Sequence, residues 1–376
     1  MLIGVPKEIK AYENRVGMTP AAVREAVVHG HTVLVESNAG RNIGLDNEFY
    51  ASAGAEIVND ASEIFERADM IVKVKEPQAA EYGLLRKGQV LFTYLHLPPD
   101  PKQAKAWMKS GCVAIAYETV PDARGGLPLL APMSEVAGRM AIQAGAHNLE
   151  IMQGGRGMLL GGVPGVPAAK VVILGGGVVG TNAARMAMGM EAHVIVIDKS
   201  LHGLYDLDLQ FGSRLHTIFA TVDAIEEHVL SADVVVGAVL LPGASAPKLV
   251  SRAMVSKMKR GSVIVDVSID QGGCCETSRP TTHAEPIYVV DDTVHYCVAN
   301  MPAAVARTST FALNNATLPF TLALADKGYR KALTDDAHLR NGLNVAHGRI
   351  THAAVAEALK EKYLPAQDAL ADKVKA

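Results

Sequence analysis

Short apolar runs alternate with longer stretches of helical spacing along this chain of 376 residues. Apolar runs that are rich in β-branched residues and bounded by Gly, Pro or Asp are typical of buried strands. The first series of runs is LIGVP, HTVLVE, MIVKVK, QVLFTYLH and CVAIAYE, and the second is KVVIL, HVIVID, ADVVVGAV, GSVIVDVSID and VHYCVANM. Strands that alternate with helices predict an α/β fold, with parallel sheets covered by helices on both faces.

The two series of strands favour two domains, because the chain is long for one ordinary domain. A long helix is expected from Ser134 to about Gln153, with Ser134 as its N-cap. The tail after Arg307 returns to helical spacing and is expected to pack against the first domain. We therefore predict two Rossmann-like, doubly wound domains: a discontinuous one of residues 1–128 and 307–376, and one of residues 129–306 inserted into it.

Composition and charge argue against several classes of protein. Hydrophobic residues make up 49% of the chain and charged residues 20%, which is enough apolar material for a substantial core. The net charge of −3 argues against nucleic acid or an anionic membrane as a partner. No apolar run reaches the roughly 18 residues of a membrane helix, the amino terminus lacks the apolar core of a signal peptide, and four cysteines are too few for a disulfide framework. A soluble, cytoplasmic protein is expected.

The most specific local pattern is KVVILGGGVVGTNAARMAMGMEAHVIVID, a strand, a glycine loop, a helix and a second strand. Gly175, Gly177 and Gly180 match the spacing that gives a tight turn, close approach of a pyrophosphate, and close packing of helix against strand. Asp198 ends the second strand, where a carboxylate accepts from a ribose hydroxyl and repels a 2′-phosphate. The pattern predicts NAD rather than NADP, a preference that Lys199 softens. The alternative is a glycine-rich turn chosen only for packing.

Three polar side chains of the first domain are candidates for chemistry, because open α/β sheets build their sites where strands end. His96 closes QVLFTYLH and suits acid–base work near neutral pH. Lys75 lies beyond Lys73 on the same face of MIVKVK and suits a carbonyl or a carboxylate. Arg15, in a loop before a helix, suits a carboxylate. Each could instead be an ordinary surface or core residue.

The loop IDQGGCCETSRPTTH raises the question of a metal site. Zinc is disfavoured, because adjacent Cys274 and Cys275 cannot easily face one ion and no second pair of cysteines follows at a suitable spacing. A vicinal disulfide is disfavoured too, and the cysteines are interpreted as small apolar fillers. No metal is expected. Asp270, predicted to end the strand GSVIVDVSID, is the expected working residue, at the edge that the nicotinamide should reach.

Almost the whole chain resembles the alanine dehydrogenase family, which is related to the cofactor-binding part of proton-translocating transhydrogenase. The resemblance rests on GVPKEIKAYENRVGMTP, VKVKEP, TYLHLPPD, AYETV, APMSEVAGRMA, the glycine loop, VDVSIDQGGCCETSRPTTH and HYCVANMPAAVARTSTFALNNATLPF. It implies reversible conversion of L-alanine, NAD⁺ and water to pyruvate, ammonium and NADH. It also implies a homo-oligomer, a hexamer of two-lobed subunits.

The resemblance assigns roles residue by residue. Arg15 and Lys75 would bind substrate, His96 would be the acid–base catalyst, and Asp270 would position or deprotonate water or amine. Residues 1–128 and 307–376 would form the substrate domain, and 129–306 the NAD domain. The cofactor would be lined by Ser134, Gly175, Gly177, Val178, Val179, Gly180, Asp198, Val239, Leu240, Val267, Ser268, Ile269, Asp270, Arg279, Val298, Ala299, Asn300 and Met301.

Three positions depart from the family pattern, and three other functions stay open. Cys275 stands where an aromatic residue is expected, Gly203 where some relatives have a basic residue, and Ala220 where serine is common. The alternatives are a transhydrogenase-type nucleotide-binding subunit, a reductive condensation of the opine or saccharopine type, and an NAD-sensing protein with a decayed site. A transhydrogenase subunit would not need Arg15, Lys75 and His96 together.

Overall fold

A computed structural model describes residues 1–98, 100–239 and 245–371. The chain divides into two compact units, one of Met1–Met133 with Val305–Ala376 and one of Ser134–Ala304. The first unit is therefore built from both ends of the chain. That this unit binds substrate and the other NAD, with bounds at 128/129 and 306/307, stays a prediction.

Fifteen strands are found within the described residues. They are β1 Leu2–Val5, β2 Thr32–Glu36, β3 Glu56–Val58, β4 Met70–Val72, β5 Val90–Thr93, β6 Val113–Ala116, β7 Lys170–Leu174, β8 His193–Asp198, β9 His216–Phe219, β10 Val234–Gly237, β11 Val263–Asp266, β12 Ile287–Val290, β13 Thr293–Tyr296, β14 Leu343–Ala346 and β15 Arg349–Ile350.

The same part of the chain contains fourteen α-helices. They are α1 Pro20–Val28, α2 Asn47–Ser52, α3 Ala61–Arg67, α4 Pro101–Ser110, α5 Ala131–Asn148, α6 Val178–Gly189, α7 Leu201–Phe211, α8 Val222–Ser231, α9 Arg252–Val255, α10 Ala306–Lys327, α11 Tyr329–Asp335, α12 Ala337–Asn341, α13 Ala353–Leu359 and α14 Ala366–Leu370. None of these helices is both long enough and apolar enough to cross a membrane.

The sheet of the first unit has eight strands in the order β15-β14-β6-β5-β4-β1-β2-β3. The strands β1 to β6 are parallel, and β14 joins the edge antiparallel to β6. One core cluster of this unit includes Leu34, Ile71, Leu91 and the fully buried Trp107. The doubly wound fold expected from the sequence is confirmed here, because neighbouring strands run parallel and helices connect them.

The sheet of the second unit has seven strands in the order β12-β13-β11-β10-β7-β8-β9. All pairs are parallel except β12 with β13. Alternate residues of β7 enter different cores, Val171 and Ile173 on one face and Val172 and Leu174 on the other. A strand buried on both faces reads as one continuous apolar run, which is why KVVIL is recognisable in the sequence.

Several predicted element ends are wrong. Ser134 is not an N-cap, because α5 begins at Ala131 and Pro132 occupies its first turn, where a fixed φ is favourable. The strand expected to reach Asp270 ends at Asp266, and residues 267–271 form a short 3₁₀ helix. Likewise β4 ends before Lys73 and β5 ends before His96, so the candidate side chains lie in the turns after the strands.

Candidate active site

The carboxyl edge of the first sheet carries a group of polar side chains. β1 and β4 are neighbours there, and the strand order reverses between them, which is the position at which open α/β sheets bind ligands. Glu8 follows β1, Lys75 follows β4, His96 follows β5 and Glu118 follows β6. The sequence predicted Lys75 and His96 at this edge, and the structure brings them into contact.

His96 is held in an uncommon backbone conformation beside a cation. Its Nε2 lies 3.2 Å from Lys75 Nζ, and its ring stacks on Tyr94 with centroids 5.9 Å apart. Its φ of 44° is left-handed, which is rare outside glycine and typical of functional sites. Glu118 accepts from the backbone N–H groups of His96 and Leu95, at 2.7 and 3.1 Å.

Burial lowers the pKa of His96 well below its ordinary value, and the charge of Lys75 adds to this effect. The more distant charges of Lys10 and Arg15 act in the same direction. The imidazole is therefore neutral at pH 7 and able to accept a proton. The charges of Lys75, Lys10 and Arg15 thus all act on His96. Such a group of cationic and basic side chains suits an anionic substrate.

Arg15 is buried and already paired. Its Nε and one terminal nitrogen donate to the two carboxylate oxygens of Glu13, at 2.7 and 2.6 Å, and its other terminal nitrogen lies 2.9 Å from Met133 Sδ. The guanidinium group of Arg15, which the sequence assigned to a ligand carboxylate, thus binds the carboxylate of Glu13.

Sequence reasoning missed a buried ionic group behind Lys75. Lys73 Nζ lies 3.2 Å from Glu8 Oε2 and 3.1 Å from Glu81 Oε1, and all three side chains are buried. The other oxygen of Glu8 accepts from the backbone N–H groups of Val74 and Lys75, at 2.7 and 3.2 Å. This group fixes the backbone on which Lys75 stands. The closely spaced pair Lys73 and Lys75 was the available signal, but Glu8, one of the two carboxylate partners of Lys73, is remote in sequence.

The glycine loop of the second unit fits a dinucleotide. Gly175 has a φ of 105°, and a Cβ there would lie 2.6 Å from the carbonyl oxygen of Ala238. A Cβ at Gly180 would lie 1.9 Å from the carbonyl oxygen of Gly175, whereas one at Gly177 would meet nothing within 4 Å. The first and third glycines are therefore required by packing, and open space lies at the amino end of α6, where a pyrophosphate would sit.

Asp198 ends β8 beside this loop. Its two oxygens accept from the backbone N–H groups of Gly176 and Ser200, at 2.6 and 2.7 Å. These hydrogen bonds orient the carboxylate at the end of β8, where it would accept a hydrogen bond from a ribose hydroxyl. Since each oxygen has two lone pairs, Asp198 can accept further hydrogen bonds from a ligand.

The remaining predicted cofactor residues lie at several places in the second unit. Val178 and Val179 open α6, and Val239 follows β10 and exchanges two hydrogen bonds with the hydroxyl of Ser268, at 3.0 and 2.8 Å. The 3₁₀ helix after β11 contains Val267, Ser268, Ile269 and Asp270. The segment after β13 contains Val298, Ala299 and Asn300, and Met301 begins the 3₁₀ helix that follows. These loops all leave the carboxyl ends of parallel strands. Leu240 lies outside the described residues.

Asp270 is exposed, and one of its oxygens lies 3.4 Å from the backbone N–H of Asn300. Two other predicted residues stand apart. Ser134 lies in the first turn of α5, and the guanidinium of Arg279 lies 4.1 Å from the ring centre of Tyr288. Among the described contacts, none joins Ser134 or Arg279 to the glycine loop.

The paired cysteines are buried around a carboxylate. Ligand atoms of Asp266, Cys274 and Cys275 lie within 4.8 Å of one another, so the expectation that adjacent cysteines cannot face one ion is wrong for this loop. However, one oxygen of Asp266 already accepts from the N–H groups of both cysteines and from the hydroxyl of Ser278, at 2.9, 3.3 and 2.6 Å. A hydrogen bond with Cys275, together with burial, raises the pKa of the Cys274 thiol. Asp266 therefore shapes the loop.

The two nearby histidines have partners of their own. His295 is buried, with Nε2 2.8 Å from the hydroxyl of Thr277 and Nδ1 3.0 Å from the carbonyl oxygen of Thr293. His283 Nε2 lies 3.2 Å from the carbonyl oxygen of Asn300. These contacts use both ring nitrogens of His295 for structure.

Two family models together match most of the chain. Residues 4–137 match the alanine dehydrogenase/PNT N-terminal domain, and residues 141–353 match the alanine dehydrogenase/PNT C-terminal domain. The chain belongs to the alanine dehydrogenase/PNT family. This family consists of nucleotide-dependent oxidoreductases with two α/β domains, which confirms the resemblance found in the sequence.

Individual relatives agree with this family assignment. An alanine dehydrogenase of Halomonas elongata is 58% identical and covers 97% of this chain and 99% of its own. The solved structure of an L-alanine dehydrogenase superposes with a TM-score of 0.93 at 52% identity, over 96% of this chain and 99% of that one. A transhydrogenase from Sinorhizobium meliloti superposes with a TM-score of 0.81 at 23% identity, over 93% and 100%, and shares the fold.

Proposed function

We propose that this protein is an alanine dehydrogenase, which converts L-alanine, NAD⁺ and water reversibly to pyruvate, ammonium and NADH. The observation that carries the proposal is the contact of His96 with Lys75 at the carboxyl edge of the first sheet. A neutral base beside a fixed cation suits an α-amino or α-keto acid. The resemblance to the family further supports a homohexamer, which light scattering after gel filtration would test.

The predicted substrate and catalytic residues have separate roles. Arg15 and Lys75 bind the carboxylate and the keto or amino group, and Lys75 polarises the carbonyl in the direction of amination. His96 accepts a proton during deamination and returns it during amination, because its lowered pKa keeps it neutral. Asp270 orients or deprotonates the water or amine that reacts at the α-carbon. Holding these groups in place contributes several kcal/mol by removing the need to orient them during reaction.

NAD, when bound, supplies the acceptor for the hydride of the alanine α-carbon. The turn at Gly175 and Gly177 and the amino end of α6 would hold the pyrophosphate. Asp198 would accept from the adenosine ribose. The loops that contain Val239 and Asp270 would line the nicotinamide end.

The nucleotide preference can be tested at one side chain. Asp198→Asn keeps the size of the side chain and removes the charge that would repel a 2′-phosphate. We expect kcat/KM for NAD⁺ to fall about 10-fold or more, because a hydrogen bond to a charged group is lost, and the ratio of NADP⁺ to NAD⁺ activity to rise. Steady-state rates with both nucleotides measure this change. An unaltered ratio would remove Asp198 from nucleotide selection.

The pH dependence follows from the direction of the His96 shift. Because burial and, to a smaller extent, nearby cations disfavour the imidazolium, its folded-state pKa lies below about 6.5, and the base form persists to lower pH. We expect the acid limb of kcat/KM for alanine deamination to lie below about pH 6.5. In Lys75→Met a cation is lost, so the limb of the residual activity should move to higher pH. A limb that moves to lower pH would contradict this assignment.

One assay separates the proposal from its rivals. NADH absorbance is followed with pyruvate and ammonium, and then with pyruvate and an amino acid in place of ammonium. In a third mixture NADH is incubated with NADP⁺, and the NADPH formed is separated by chromatography, because NADH and NADPH absorb alike. Oxidation of NADH only in the first mixture supports an alanine dehydrogenase. Activity in the second mixture indicates reductive condensation, activity in the third indicates transhydrogenation, and NADH binding without turnover indicates a sensor.

A further inference from the structure

A lysine outside the predicted site holds the loop that follows Asp270. Lys248 Nζ donates to the carbonyl oxygens of Gly272, Gly273 and Cys275, at 2.6, 2.8 and 3.2 Å. An ammonium group has three protons, so this arrangement uses its full donor capacity. The conformation of the loop brings these three backbone carbonyls together around one cation.

The conformation of this loop has to be held by residues outside its glycine pair. Gly272 and Gly273 have φ values of 89° and 78°, which glycine adopts easily but also leaves easily. Lys248 holds the carbonyl side of the loop, and Asp266 holds the amide side through the N–H groups of Cys274 and Cys275. The conformationally free glycine pair is thus held between the ammonium of Lys248 and the carboxylate of Asp266.

The restraint reaches Asp270 through the backbone. Gly272 ends the 3₁₀ helix Val267–Gln271, so its placement sets the last turn, in which Asp270 lies. The backbone N–H of Ala246, two residues before Lys248, also donates to the carbonyl oxygen of Gln271 at 2.9 Å. The segment around Lys248 is therefore hydrogen-bonded to the loop on both sides of the glycine pair.

We propose that Lys248 is a positioning residue for Asp270: it fixes the glycine turn so that the carboxylate keeps one orientation. The inference rests on the proposed function, since it concerns the role of Asp270 in alanine deamination. Among the described residues, the hydrogen-bond partners of Lys248 Nζ are backbone carbonyls, so its effect on turnover passes through the loop. Without the ammonium, the carbonyls turn to water and Asp270 samples several positions.

A double-mutant cycle tests this role, with wild-type deamination of alanine as the reference. Lys248→Met is expected to lower kcat at least 10-fold while changing the NADH Kd less than 3-fold, and Lys248→Arg to recover part of the loss. In the Asp270→Asn background, Lys248→Met should lower the residual kcat less than 2-fold. Lys257→Met is the matched control, because the side chain of this exposed lysine forms a 3.8 Å ion pair with the exposed Glu226, away from the glycine turn, and it should match the wild type.

Chemical rescue supplies a second measurement. In Lys248→Gly the three carbonyls remain available to a small cation, so ethylammonium should raise kcat for deamination at least 3-fold, and tetramethylammonium, which has no N–H donor, should not. Equal losses from Lys248→Met in the wild-type and Asp270→Asn backgrounds, or a Lys248→Met enzyme with normal kcat, would overturn the proposal. An inactive wild-type protein would instead refute the proposed function and is distinguished by the reference assay.

Discussion

His96→Ala is expected to lower kcat for alanine deamination by about 10²- to 10⁴-fold, the range typical of a lost general base. The imidazole is half-buried, neutral and in contact with Lys75, and its removal deletes the base that is proposed to accept the proton. The NADH Kd should stay within about 3-fold of the wild type, because the proposed nucleotide-binding residues belong to the other unit. Stopped-flow rates and NADH fluorescence titration measure the two quantities.

The control for this variant is His338→Ala, which removes an exposed histidine of the same unit. It should leave kcat and the NADH Kd unchanged. Circular dichroism confirms that both variants are folded. Turnover of His96→Ala within 10-fold of the wild type would exclude His96 as the proton acceptor.

Two glycine replacements should separate folding from nucleotide binding. A methyl group at position 180 would lie 1.9 Å from the carbonyl oxygen of Gly175, so α6 must move away from β7. We expect Gly180→Ala to lower the free energy of unfolding by at least about 2 kcal/mol, as overpacking does, and to weaken NADH binding at least 10-fold. A methyl group at position 177 meets nothing within 4 Å, so Gly177→Ala should alter unfolding by less than about 1 kcal/mol.

Gly177→Ala should nevertheless weaken NADH binding, because the methyl group enters the space at the amino end of α6 where the pyrophosphate is expected. Urea unfolding and fluorescence titration of both variants provide the comparison. If Gly177→Ala binds NADH as the wild type does, the dinucleotide does not approach this turn.

The sequence is most informative where a function depends on neighbouring residues. The glycine loop, α6 and Asp198 form one continuous stretch, so the reason for each glycine follows from the local pattern alone. His96 and Lys75 can be placed at strand ends for the same reason. The predicted ends of these strands are wrong by a few residues, since apolar residues such as Val74 and Leu95 continue the pattern beyond the strand ends at Val72 and Thr93.

Partners that are distant in sequence could not be predicted. Nothing near Lys73 indicates that Glu8 neutralises it, and nothing near Gly272 indicates Lys248. The pairing of Arg15 with Glu13 is local, but it is visible only once burial has excluded water as the alternative partner. Long-range charge pairing depends on which strands become neighbours, and a single sequence does not specify this order.

The last strands of the first sheet have a consequence for synthesis on the ribosome. β6 is completed early, but its neighbour β14 pairs with it only through residues near the other end of the chain, with Leu343 opposite Ile115. The nascent polypeptide therefore carries an unpaired, fully apolar strand edge while all of Ser134–Ala304 is translated. Such an edge can recruit other chains, so protection by a chaperone is most valuable during that interval.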